Sequence, residues 1–179
     1  EQQGLFWKTF GYLVFRNVFP QDEIDQIRRD HDDVMAEERG GQPFNGKETQ
    51  TVLWFVEQRP SLARLAEDDR IFNKIERLLG PGFIWCESDG NYYVGDTMWH
   101  SDHRPHVPYK SLKIAFYLDR VTADTGCLRV IPGTHRRPFG ERVRPQQNLD
   151  DRTAMPFGVA QEDIPCVALE SFPGDVIVF

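Results

Sequence analysis

The sequence predicts a mainly β fold, a β-sandwich or jelly roll with an N-terminal helical layer. Two observations carry this. Helical patterns are confined to the stretch between Pro20 and Leu79, and from Phe83 onward the chain breaks into short β-like runs separated by Gly, Pro and Asp turns. The change of character falls at Gly80-Pro81, and a chain of 179 residues is long enough for one core and short for two. A single domain is therefore expected, with strand and helical layer in 1–80 and sandwich core in 81–179.

Gly11 to Phe19, rich in Tyr, Leu, Val and Phe, reads as the first strand. Pro20 stands where a helix opens, with Asp22 and Glu23 in its first turn, so a helix is predicted from about Pro20 to Glu38. Ile24, Ile27, Val34 and Met35 form its apolar stripe, and it should lie on a larger layer. Gly40-Gly41 to Gly46 is turn material, and Thr51 to Val56 is a short β-like run. Ser61 to Ala66 and Arg70 to Leu79 read as helices, the second stopped by Gly80-Pro81. The later strands are Phe83 to Ser88, Asn91 to Val94, Ser111 to Asp119, Cys127 to Pro132, Pro165 to Glu170 and Asp175 to Phe179. The connection from Thr134 to Gln161 exceeds ordinary loop length and reads as a lid or partly ordered insertion.

A formal net charge of -7 and a pI near 5.2 argue against nucleic acid or an anionic membrane as partner. No apolar run approaches the roughly 20 residues of a membrane span, and Glu1-Gln2-Gln3 does not read as a signal peptide. Cys86, Cys127 and Cys166 are odd in number and widely spaced, so neither a disulfide framework nor a zinc knuckle is expected. A reducing cytoplasm is the default compartment.

The chemistry concentrates at Trp99-His100-Ser101-Asp102, which follows the extended-looking Gly90 to Met98. On a strand, residues two apart share a face, so this imidazole and carboxylate would point together. They make two of the three ligands of a 2-His-1-carboxylate iron site, an arrangement that leaves positions open for cosubstrate and oxygen. His103 and His106 are read as lining the mouth or solvated, since Pro105 and Pro108 begin an irregular loop. Two other readings stay open: a surface hydrogen-bonded pair, and a zinc hydrolase or cupin-like enzyme using His100, Asp102 and His103 or His106. Against the hydrolase, Met98 stands where the binuclear pattern needs a His, and no His-Glu-x-x-His helix is present.

Three blocks in order raise the specificity of this motif. Gly90-Asn91-Tyr92-Tyr93 with Trp99 to Asp102, then Gly126 to His135 with its Pro132-Gly133-Thr134-His135 turn, then Phe172-Pro173-Gly174-Asp175-Val176, together resemble the phytanoyl-CoA dioxygenase family. The resemblance covers most of the chain from about Gly11. It implies a double-stranded β-helix (jelly-roll, cupin-like) oxygenase using Fe(II) and 2-oxoglutarate, with His100 and Asp102 as catalytic metal ligands. The family's second His and its cosubstrate-gripping Arg follow the strand opened by Pro173-Gly174-Asp175, so the chain is read as incomplete at its C-terminus, holding iron weakly through two protein ligands. His135 is read as structural, with a ligand role as the minor alternative. An Asp at 102, instead of Gly or Ala, favours hydroxylation over halogenation.

Asn91 and Tyr93, sharing a face by alternation, and Lys113 are the candidate cosubstrate contacts. In Ser111 to Asp119, Leu112, Ile114, Phe116 and Leu118 make one face and Lys113, Ala115 and Tyr117 the other, and a Lys entering a barrel needs an anionic partner. Arg104, Lys110, Lys113, Arg120, Arg129, Arg136, Arg137, Arg142 and Arg144 outnumber the acids around them, which fits either a solvated loop paired with Asp150 and Asp151 or a small, anionic substrate. A catalytically silent jelly-roll binding module is the remaining alternative. An incomplete sandwich would leave an unpaired apolar edge near Val176 to Phe179, favouring a homodimer.

Overall fold

The Pro173-Gly174 pair dictates the turn that organises the C-terminal strand. Pro presets φ at the second turn position, and Gly174, at φ 96°, takes the positive φ that the third position of a type II turn requires. The Asp175 N–H closes the turn on the Phe172 carbonyl at 3.0 Å, and the Asp175 carboxylate accepts the Phe172 N–H at 3.0 Å. Strand β7 (Val176–Val178) then runs as the middle strand of an antiparallel sheet. On one side it pairs with β1 (Leu13–Phe15) and on the other with β4 (Ile114–Ala115).

A computed structural model describes residues 1–102, 109–136, 155 and 157–179. The chain gathers into two compact units, one of residues 1–16 with 96–179 and one of residues 17–95. The second unit thus runs past residue 80 and takes in one of the later strands.

In the first unit, helix α1 (Gln2–Phe10) ends at Gly11, whose left-handed φ of 83° closes the helix on the Trp7 carbonyl. It buries no side chain, which is why no apolar stripe announced it. Val176, Ile177 and Val178 are at most 2 % exposed, so β7 is the core of its sheet. The open edge expected at Val176 to Phe179 is therefore corrected: β1 and β4 occupy both sides of it. The Asp175 carboxylate, 2 % exposed, is neutralised by Arg16 at 2.6 Å, and Arg16 also donates to the Glu170 carbonyl at 2.8 Å. Strands β5 (Leu128–Val130) and β6 (Val167–Leu169) form a separate antiparallel pair. The expected strand at Ser111 to Asp119 shrinks to β4, and no strand forms at Phe83 to Ser88.

In the second unit, α2 (Gln21–Glu38) begins directly after Pro20, as its sequence requires, and buries Ile24, Val34 and Met35 together with His31. Strands β2 (Gln50–Leu53) and β3 (Asp89–Tyr92) pair antiparallel. Gly90 is the one residue that fits opposite Val52 on β3, because a Cβ there would fall 2.3 Å from the Phe55 ring. Helices α3 (Pro60–Ala63) and α4 (Asp69–Leu79) lie between these two strands in the chain. Asp68 caps α4 by accepting the Arg70 N–H at 2.8 Å. The Arg70 guanidinium grips Asp68 and reaches Glu23 in the first turn of α2 at 2.6 Å. Among the described residues, no helix is long and apolar enough to cross a membrane.

Two stability tests arise from these pairs. Arg16→Met strands a buried carboxylate, and urea denaturation should show a loss of about 3 kcal/mol. Hydrogen bonding from Arg70 holds the Asp68 and Glu23 carboxyls below their ordinary values. Carboxyls lowered in the folded state stabilise above their unfolded pKa values and lose that contribution as pH falls through the folded ones. Arg70→Met should cost about 1 kcal/mol at pH 7, and the gap to wild type should narrow in urea titrations as pH falls below the ordinary carboxylate range of about 4.

Candidate metal centre

His100 and Asp102 lie in the first unit, in a segment without regular secondary structure. The strand expected to align them is absent, since β3 ends at Tyr92. Their side chains meet all the same, with Nε2 of His100 3.7 Å from Oδ1 of Asp102 and both side chains 34 % exposed. Long-range hydrogen bonds take the place of a ladder. The Trp99 N–H donates to Oε1 of the buried Gln161 at 3.2 Å, and the Trp99 indole N–H donates to the Gln161 carbonyl at 2.9 Å. Gln161 pins the main chain next to His100. Sequence reasoning missed it, because a contact from the far end of the Thr134 to Gln161 connection leaves no local pattern.

The imidazole is oriented from within its own segment. Nδ1 of His100 lies 2.8 Å from the Met98 carbonyl, an acceptor only, so this nitrogen carries the hydrogen. Nε2 is left to face Asp102. Lys113, half exposed just before β4, brings its Nζ to 2.7 Å from the same Oδ1. Its main chain is fixed by a pair of hydrogen bonds with Phe179, at 2.7 and 3.1 Å, that continue the β4–β7 ladder.

The charges tune one another. The Asp102 carboxylate facing Nε2 raises the His100 imidazole above its ordinary range, burial opposes this, and the Met98 carbonyl adds to it. Burial alone would raise the Asp102 carboxyl, but the facing His100 imidazole and the Lys113 ammonium outweigh it and bring the group down to about 2. At neutral pH Asp102 is an anion.

The remaining predicted residues fall in three groups: the other unit, the undescribed residues and contacts within the first unit. Asn91 and Tyr93 belong to the other unit. Asn91 meets Thr51 across the ladder at 2.6 Å and also contacts Asp89, while Tyr93 is 62 % exposed just past β3. On the alternate positions, Gly90 packs on Phe55, and Tyr92 packs on His31 and Phe44 and donates its hydroxyl to Asp32 at 2.6 Å. His103 and His106 lie outside the described residues, as do Arg104, Arg137, Arg142 and Arg144. His135 packs on the glycine that ends α1, where a Cβ would fall 2.3 Å from its Nδ1, and its Nε2 lies 3.3 Å from the Lys8 carbonyl. That is a structural placement. Among the described residues, no third His, Cys, Asp or Glu joins His100 and Asp102. Of the basic residues, Arg120 lies over the Phe172 ring, Arg129 donates to the Ala123 carbonyl, and Arg136 donates to the Lys8 carbonyl.

Comparison with known proteins places the fold. The chain is 29 % identical over 157 residues to the ectoine dioxygenase of Sphingopyxis alaskensis, a match covering 75 % of this chain and 49 % of that protein. It thus spans about half the length of this curated relative. The crystal structure of EctD from S. alaskensis with bound Fe superposes with a TM-score of 0.75 at 26 % identity, covering 99 % of this chain and 66 % of that one. HygX from Streptomyces hygroscopicus with nickel and 2-oxoglutarate bound gives 0.73 at 17 % identity, covering 100 % and 77 %, a likeness of fold alone. The phytanoyl-CoA dioxygenase (PhyH) family profile matches residues 7–179, and the chain belongs to that family.

Proposed function

We propose that this chain carries the metal-binding part of an Fe(II)- and 2-oxoglutarate-dependent dioxygenase that hydroxylates a small organic molecule. The observation that carries the reading is the convergence of His100 Nε2 and Asp102 Oδ1, with the other imidazole nitrogen tied to Met98. Two metal–ligand bonds of about 2.1 Å span up to about 4.2 Å, so donors at this separation fit a single ion. The donor set fits as well: an ionised carboxylate and an imidazole whose tautomer is set by a carbonyl hydrogen bond. A third protein ligand has to come from outside the described residues. We read both units as parts of one double-stranded β-helix domain, which the unbroken family match over residues 7–179 supports.

Bound at this site, Fe(II) and 2-oxoglutarate would supply the oxidative decarboxylation, to succinate and carbon dioxide, that drives hydroxylation. The chain's own residues hold and orient. Asp102 presents an anion throughout the neutral range, and His100 presents Nε2 once that nitrogen has lost its proton. Trp99 and Gln161 keep the segment in place. Lys113 offers an ammonium to a cosubstrate carboxylate from a main chain locked to β7. Asn91 and Tyr93 are further cosubstrate contacts in this reading on the strength of the sequence alone. An anionic substrate rests on the basic excess in the sequence alone, because Arg120, Arg129 and Arg136 are engaged within the fold.

Anaerobic addition of Fe(II) and then 2-oxoglutarate to the chain tests the assignment. A visible metal-to-ligand charge-transfer band is expected, and His100→Ala or Asp102→Ala should abolish it. A band that survives both substitutions would refute the ligand assignment. Zinc retained through purification with no band would favour the hydrolase.

A further inference from the structure

Oδ1 of Asp102 faces an ammonium and an imidazole at once. The Lys113 ammonium lies 2.7 Å from it, and His100 Nε2 faces the same oxygen at 3.7 Å. This is the oxygen nearest the imidazole nitrogen that an ion would share with it. The backbone of Lys113 has no freedom to retreat, since hydrogen bonds to Phe179 fix it in both directions. Only the half-exposed side chain can move.

We infer that Lys113 is a competing counter-ion of the metal site: its ammonium has to give up Asp102 Oδ1 before a divalent ion takes that oxygen, and so it sets the metal affinity. The inference rests on the reading of His100 and Asp102 as ligands. A divalent ion and an ammonium about 4 Å apart repel by an amount worth on the order of tenfold or more in binding constant, even at the dielectric of water. Metal binding therefore has to break the ion pair and push the ammonium away. Because the pair is partly solvated, the cost is moderate, and the site stays loadable. Lys113 acts here through Asp102, as a positioning residue.

Titration of the full chain with Mn(II) alone tests this, with free Mn(II) read from its electron paramagnetic resonance signal. Removing the charge in Lys113→Met, and independently in Lys113→Gln, should tighten Mn(II) binding roughly tenfold. Keeping the charge in Lys113→Arg should leave the affinity within about twofold of wild type. A role confined to folding would not produce this split between neutral and charged substitutions. Unchanged or weaker binding in both neutral variants, in a chain whose binding is lost in Asp102→Asn, would overturn the inference and leave the ligand assignment standing. Wild-type binding in Asp102→Asn would overturn the ligand assignment itself, and the inference with it.

Discussion

The fold turns on one buried carboxylate. Asp175 is 2 % exposed, and a charge in that position is tolerated only if it is paired and hydrogen-bonded. It meets both conditions by accepting the Phe172 N–H of its own turn and the Arg16 guanidinium from the end of β1. The same contact joins two segments far apart in the chain and fixes where β7 begins. From that start, β7 runs between β1 and β4, and its continuation at Phe179 clamps the main chain of Lys113. The Lys113 side chain ends on Asp102. A constraint imposed by burying one charge is thus transmitted, through a short ladder, to the edge of the candidate site.

The site is built from irregular chain held by a few specific hydrogen bonds. Its imidazole is set by the carbonyl two residues earlier, its carboxylate by the Lys113 ammonium and the facing imidazole, and its backbone by the buried Gln161. Such a site is economical in residues and sensitive to charge. Asp102 is held low because its partners are positive, and His100 is held high because its partner is negative. A metal ion would enter a network already balanced between one anion and two cationic or protonatable neighbours.

Much of this was legible in the sequence where the cause is local. Pro20 opens α2 because its missing N–H costs nothing at a helix start, and of the predicted stripe Ile24, Val34 and Met35 are buried while Ile27 is half-buried. The Pro-Gly-Asp turn also reads directly. Non-local causes were out of reach. Alternation in Ser111 to Asp119 reports a two-faced segment, yet only Ile114–Ala115 pair with β7, beside the Lys113–Phe179 hydrogen bonds. The apolar Val176 to Phe179 looked like an open edge because no pattern near it reveals that β1, from the other end of the chain, lies alongside. His100 and Asp102, paired in the sequence by spacing, face each other at 3.7 Å, although the strand invoked to align them does not form.

The central claim is that the Nε2 nitrogen of His100 and the carboxylate of Asp102 together grasp a divalent ion. The most direct measurement is long-range proton–nitrogen NMR of the imidazole rings during addition of diamagnetic Zn(II) and, separately, of substoichiometric Mn(II). The account predicts a His100 ring protonated at Nδ1, shifted at Nε2 by Zn(II) and broadened first by Mn(II), with His31 and His135 unaffected. A His100 ring that neither shifts nor broadens while His135 does would contradict it.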